Sequence, residues 1–244
     1  MIESEFWKDW KDINSIEQIA IESVKKALEI LFETIDEKNI YAIYIKGSFV
    51  NREMNKKSDV DLVPITKDNE TLEEIKKLQE NKGEGYKPAE FVPRSIWEFE
   101  NHKKYNFKGK TSGNPDQFTR NIHYHKLIYG KKLDTSKYII RDDKTRLKAH
   151  IKVFEKVFIP FYRANKVSFN DNLKQVFWLT ISEERIKGNN PPYSWKGLDE
   201  LVKDPNHIIH KATKLRLNPT EDPKIKEEFI QKIKKYLDEL KSLT

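Results

Sequence analysis

Cysteine is absent from this chain, and that removes several chemistries at once: no disulfide framework, no thiolate nucleophile and no Cys-ligated zinc can be built. Six histidines remain as nitrogen ligands. Long apolar runs are missing too. No stretch approaches the roughly 20 apolar residues that a membrane helix needs, and the opening MIESEFWKDWKD is too acidic and polar for a secretory leader. A soluble cytoplasmic protein with no membrane partner is expected. Arginine is scarce beside lysine, 8 against 38, and with no RNA-binding motif in view RNA is a disfavoured partner.

What is present is a composition that folds. Hydrophobic residues make up 37% and aromatics 11%, while 35% of residues are charged and cover a solvated surface. The 244 residues allow one large domain or two modest ones. The net charge of +7 is unevenly placed: residues 1–140 hold 24 Lys+Arg and 24 Asp+Glu, residues 141–244 hold 22 and 15. A basic C-terminal half suggests an anionic partner, against the plainer reading that dispersed lysines serve solubility.

Ser15 and Gln18 have the form of a capping box. Ile16, Ile19, Ala20, Val24, Ala27, Leu28, Leu31 and Ile35 then recur at helical spacing, which predicts a helix over 15–36. β-Rich runs come next at Ile40–Lys46 and 59–66, separated by a polar connection, with a helix in 71–80, a short strand over 89–92 and a helical turn over 95–99. Residues 103–113 read as a loop or lid, Pro115 opens a helical segment running to 129 and stopped by Gly130, and 138–140 reads as a last edge strand. Beyond about residue 142 the apolar stripes Leu147/Ile151/Phe154/Phe158/Phe161, Leu173/Val176/Phe177/Ile181 and Ile225/Phe229/Ile233/Leu237/Leu240 describe a helical bundle, with a loop at 189–192. The fold class is therefore α+β: an N-terminal mixed sheet with helices over 1–141, then an all-α bundle over 142–244. A site is expected between them.

The chemistry-bearing element is Asp59-Val60-Asp61. On a strand the two carboxylates share a face and repel unless a cation lies between them; oxygen-only donors favour Mg²⁺. The competing reading is a pair of solvated acids at a strand edge. His123 and His125 do not share a face on the predicted helix, and His207 and His210 do but lack a third nitrogen ligand, so both pairs read as ordinary partly buried histidines. Phe154, Phe158, Phe161 and Trp178 read as core. Trp7, Trp10 and Trp97 could stack on a base, with packing the default.

Gly47-Ser48, ten residues, then Asp59-Val60-Asp61 resembles the motif of the DNA polymerase beta-like nucleotidyltransferase superfamily, in which a strand ends on Gly-Ser and a second strand bears Asp-x-Asp. Ser58, Glu53, Val60 and Leu62 agree with that register. The resemblance implies a third carboxylate on a later strand, for which Glu90 in Ala89-Glu90-Phe91-Val92 is the candidate. Trp97-Glu98-Phe99 and the His125 to Gly130 run resemble the two-domain members, and the overall layout resembles aminoglycoside nucleotidyltransferases. It also implies that Gly47 and Ser48 cradle the nucleotide phosphates, that Asp59, Asp61 and Glu90 hold Mg²⁺ or, for Glu90, take a proton, and that Lys196, beyond the Asn-Pro loop, lies near a phosphate. This chain departs from the pattern at Asn51-Arg52, where many members have Arg-Gly. The turn must form without that glycine's freedom, and Arg52 is assigned to the triphosphate.

The leading expectation is a Mg²⁺-dependent enzyme that transfers a nucleoside monophosphate from an NTP, ATP favoured, to a hydroxyl of a small molecule or protein and releases pyrophosphate. The basic C-terminal half suits an anionic acceptor better than a polycationic one. Alternatives are a non-catalytic nucleotide-binding or antitoxin-like module of the same fold, an RNA-directed nucleotidyltransferase, and a basic nucleic-acid-binding protein. The sequence does not fix the oligomeric state, homodimer included.

Overall fold

Two compact units divide the chain, Met1–Ile140 and Arg141–Thr244. The structure is a computed structural model and describes residues 3–107, 110, 111 and 114–244; of the expected loop or lid, residues 108, 109, 112 and 113 lie outside the described residues.

In the first unit, helix α1 (Ser15–Thr34) is capped by Asn14. Its carboxamide oxygen accepts from the Ile16 and Glu17 N–H groups at 3.0 Å, and the Glu17 carboxylate accepts from Asn14 N–H at 3.1 Å. The reciprocal box thus sits one residue earlier than the Ser15/Gln18 pair suggested. Strands β1 (Ile40–Lys46) and β2 (Val60–Thr66) pair antiparallel, placing Lys46 opposite Asp61. Helix α2 (Asn69–Lys82) returns the chain to β3 (Ala89–Phe91) and β4 (Arg94–Ser95), both parallel to β2, with Glu90 opposite Asp61. Then come α3 (Ile96–Glu100), the small antiparallel pair β5 (Asn106–Phe107) and β6 (Lys110–Thr111), and α4 (Pro115–Asn121).

The expected helix to residue 129 does not form: α4 ends at Asn121, and Lys126–Gly130 is β7, antiparallel to β1. The sheet order is β3-β2-β1-β7, with β4 also on β2. Residues 138–140, expected as the edge strand, form no strand. The free edge of β1 selects Lys126–Gly130 instead, where fully buried Ile128 stands between half-buried Leu127 and Tyr129, the alternation a strand requires. Gly130 makes the approach feasible. It has φ +76, and a Cβ there would lie 2.4 Å from the Tyr41 carbonyl oxygen. Gly130→Ala is accordingly expected to destabilise the first unit by about 2 kcal/mol or more, read as a lower denaturant midpoint.

Alternation along the strands sorts the sheet into two covered faces. Ile43, Ile45, Val60, Leu62, Ala89 and Phe91 pack with the apolar stripes of α1 and α2. Ala42, Tyr44, Val63 and Ile65 pack with Phe99 of α3 and Phe118 of α4.

The second unit is helical: α5 (Asp143–Val153), α6 (Ile159–Arg163), α7 (Phe169–Ile186), α8 (Trp195–Leu201), α9 (Ile208–Leu217) and α10 (Pro223–Lys241). A π-helical turn, Phe154–Phe158, joins α5 to α6. The extra residue in that turn rotates α6 relative to α5, so Phe154 is fully buried while Phe161, expected in the core, is 42% exposed. Beneath this unit's apolar core lies a buried polar knot. The Glu183 carboxylate accepts from the Tyr236 hydroxyl, from Lys187 Nζ (2.6 Å) and from His207 Nε2 (3.0 Å), whose Nδ1 accepts from Ile209 N–H.

Burial pushes the Glu183 carboxyl up, but the hydrogen bonds from His207, Lys187 and Tyr236 more than offset this and hold it at about 2. Because the folded value lies below the unfolded one, the stabilisation is complete above about pH 4.5 and is lost as the pH falls toward 2. Tyr236→Phe removes one donor to a buried charge, and the variant should lose about 1.5–3 kcal/mol of stability at neutral pH, with a smaller loss at pH 3 in the same denaturation experiment.

Candidate active site

The turn that leaves β1 is built from Gly47 to Arg52. Gly47 has φ +87, and a Cβ on it would come within 3.6 Å of Asp61 Oδ2. The Ser48 carbonyl accepts from Glu53 N–H (2.9 Å) and the Phe49 carbonyl from Arg52 N–H (3.2 Å), closing the loop on itself. Fully buried Phe49 anchors it, with ring centroids 5.8, 5.8 and 5.2 Å from Phe6, Trp7 and Trp10. Trp7 and Trp10 are therefore packing residues in this structure.

Arg52 takes the left-handed conformation, φ +57, at the position where the motif resembled by this sequence often has glycine. Its guanidinium is occupied: Nε and Nη2 donate to the Glu17 carboxylate at 2.8 and 2.9 Å, Nη1 and Nη2 to the Lys11 and Asp12 carbonyls at 2.9 and 3.0 Å, and it lies 5.0 Å from the Trp10 ring centre. Arg52 ties the turn after β1 to the start of α1. The hydrogen bond from Arg52, against burial, holds the Glu17 carboxyl below the usual carboxylate range.

Three charged residues line up across adjacent strands. Lys46, Asp61 and Glu90 are successive cross-strand partners, and all point away from the face that carries Val60, Leu62, Ala89 and Phe91, as a period of two demands. Asp59 sits immediately before β2, exposed, with fully buried Val60 separating it from Asp61. Glu90 is placed by side chains of two helices gripping β3: Ser23 Oγ donates to the Tyr86 carbonyl and accepts from Ala89 N–H (2.8 Å), and Gln79 Oε1 accepts from Phe91 N–H (2.7 Å). Sequence reading overlooked Lys46. Its Nζ lies 2.6 Å from Asp61 Oδ2, and the one signal for it was a charged residue directly before Gly47-Ser48.

His125 precedes Lys126, the partner of Ile45. Burial first, then the charges of Lys46 and His123, push it down to about 3, so its imidazole is neutral. Its ring packs 5.0 Å from that of Phe118.

Among the described residues no three His, Asp or Glu side chains are gathered around a common metal position. The site nonetheless fits a divalent cation in donor chemistry: it offers carboxylate oxygens, and a side-chain cation already stands against Asp61. Hard oxygen donors of this kind suit Mg²⁺.

Lys196 lies in α8 of the second unit, largely exposed, with Nζ 4.0 Å from Glu200. His207 serves Glu183, and His210 Nδ1 lies 2.9 Å from Asp199 Oδ1, as ordinary structural histidines. The second unit also carries a groove of about 500 Å³ lined by Lys211, Lys214, Lys232 and Lys235 beside Asp204 and Glu239. No described helix is long and apolar enough to cross a membrane.

Comparison with known proteins agrees with the geometry. Residues 7–91 match the family described as polymerase beta, nucleotidyltransferase. Among solved structures, spectinomycin adenyltransferase AAD(9) from Enterococcus faecialis, determined with ATP and spectinomycin, superposes with a TM-score of 0.52 at 16% identity, over 93% of this chain and 99% of that one. No curated protein matches the sequence. The α+β architecture with a helical C-terminal part is thus a fold shared with that structure.

Proposed function

We propose that this chain, whose residues 7–91 carry a polymerase beta-type nucleotidyltransferase domain, transfers a nucleoside monophosphate from a nucleoside triphosphate, ATP favoured, to a hydroxyl of a small molecule or protein. The observation that carries the reading is the row of Asp61 and Glu90 on paired strands, beside Asp59 and a turn at Gly47, φ +87, whose vacant Cβ position lies 3.6 Å from Asp61 Oδ2.

Backbone N–H groups of Gly47 and Ser48, with the Ser48 hydroxyl, bind the β- and γ-phosphates. A side chain at residue 47 would crowd that approach. Asp59 and Asp61 would hold Mg²⁺, which when bound neutralises phosphate charge and favours in-line displacement at the α-phosphorus. Glu90, on the strand beside Asp61 and on its face, takes the proton of the acceptor hydroxyl. A new bond forms between that oxygen and the α-phosphorus, the bond to the β-phosphate's bridging oxygen breaks, and pyrophosphate leaves. ATP is favoured because the similar AAD(9) structure holds it. An anionic acceptor is favoured by the lysine-lined groove of the second unit.

The test is incubation with each labelled NTP, Mg²⁺ and panels of anionic and cationic acceptors, tracking pyrophosphate and labelled product. Expected is release dependent on one acceptor class. A chain that binds no Mg-NTP would overturn the proposal.

A further inference from the structure

The ion pair at the end of β1 joins two residues that the nucleotide site would use differently. Lys46 is the residue directly before the Gly47-Ser48 phosphate cradle, and it is also the cross-strand partner of Asp61. Its ammonium lies 2.6 Å from Asp61 Oδ2, with both side chains roughly three-quarters buried. Neutral His125, immediately before β7, adds no charge, and Lys46 is the cation that faces Asp61 from β1. Ammonium and a divalent cation cannot occupy the same carboxylate oxygen together, since like charges at such range repel strongly. The flexible four-carbon stem of lysine carries its charge to a new partner without moving the strand.

We infer that Lys46 is a built-in counter-ion that orders binding: it holds Asp61 in the nucleotide-free chain, transfers its ammonium to the incoming polyphosphate, and so releases Asp61 to the metal. This rests on the nucleotidyltransferase reading above. In its terms, metal without nucleotide must displace an ammonium and binds weakly, whereas nucleotide removes the competitor. Lys46 is then a nucleotide-contacting residue whose second role is to keep Asp61 from collecting metal ions ahead of substrate.

The test measures binding to the full chain. Mn²⁺ alone is titrated into the wild type, Lys46→Met, Lys46→Arg and Asp61→Asn proteins, monitored by electron paramagnetic resonance, and ATP is titrated separately in the presence of EDTA by calorimetry. Lys46→Met should bind Mn²⁺ alone about tenfold more tightly, about 1.4 kcal/mol, and metal-free ATP about tenfold more weakly. Lys46→Arg, which keeps the charge, should behave as the wild type does with Mn²⁺. Lys46→Gln serves as a second neutral variant if circular dichroism shows that methionine disturbs the strand.

Equal Mn²⁺ affinity in the wild type and both neutral variants, with Asp61→Asn still abolishing metal binding, overturns the counter-ion role and leaves the active-site reading standing. Mn²⁺ binding that survives Asp61→Asn overturns the active-site reading itself.

Discussion

Asp61→Asn should abolish nucleotidyl transfer, lowering kcat by at least about a thousandfold while leaving the fold intact. The substitution keeps shape and one acceptor oxygen but removes the charge on which a divalent cation and the phosphate geometry depend. Metal-based charge stabilisation contributes several kcal/mol to the transition state, and about 4 kcal/mol corresponds to three orders of magnitude in rate. The fold should tolerate it because asparagine matches aspartate in shape and its amide oxygen still accepts a hydrogen bond from the Lys46 ammonium that stands 2.6 Å from Asp61 Oδ2. Pyrophosphate release and a thermal melt on the same preparation check both halves. A variant that melts normally and keeps a tenth of its activity would remove Asp61 from the chemistry.

Arg52→Ala should be strongly destabilising, and for a structural reason. Glu17 is 2% exposed and meets the guanidinium through two parallel hydrogen bonds. A buried carboxylate stripped of its cation costs about 3 kcal/mol or more. Alanine also keeps the left-handed strain at φ +57 without the contacts that offset it, whereas Arg52→Gly relieves the strain and should be milder than alanine by roughly 1 kcal/mol.

The pH dependence has a definite sign. The folded Glu17 carboxyl lies below its ordinary value of 4.5, so the pair's stabilisation is complete above about pH 4.5 and is lost as the pH falls through the lowered folded value. The gap between wild type and Arg52→Ala in urea midpoint should therefore be widest near neutrality and close in acid. Because Arg52 ties the Gly47 turn to residues 11 and 12, amides of the N-terminal segment and the turn should exchange faster in the variant. A gap that does not change with pH would remove the ion pair as its cause.

The elements that carry the site were legible because their signals are local. Ile40–Lys46 is a compact β-rich run, and Glu90 stands between two apolar residues of a three-residue strand. Gly47-Ser48 and Asp59-Val60-Asp61 were linked by spacing along one connection. Where a segment's pattern admitted two structures, local reading chose wrongly. Residues 115–129 open with a good helix start, yet the end of the segment became β7 because β1 had an edge to pair and Gly130 could sit against the Tyr41 carbonyl. Phe161 left the core because a π turn, which no apolar spacing announces, rotated α6.

By itself the sequence determined the α+β order of elements, the absence of thiol chemistry and the Asp-x-Asp spacing at the start of β2, all properties of composition or of residues a few positions apart. Only the tertiary structure decided what those acids face. Lys46 and Asp61 are 15 residues apart and meet through antiparallel register; Arg52 and Glu17 are 35 apart and meet because the turn folds back on the start of α1. The physical reason is that charge acts through distance in space, and spatial distance between distant residues is set by strand pairing and helix packing, which no local window contains.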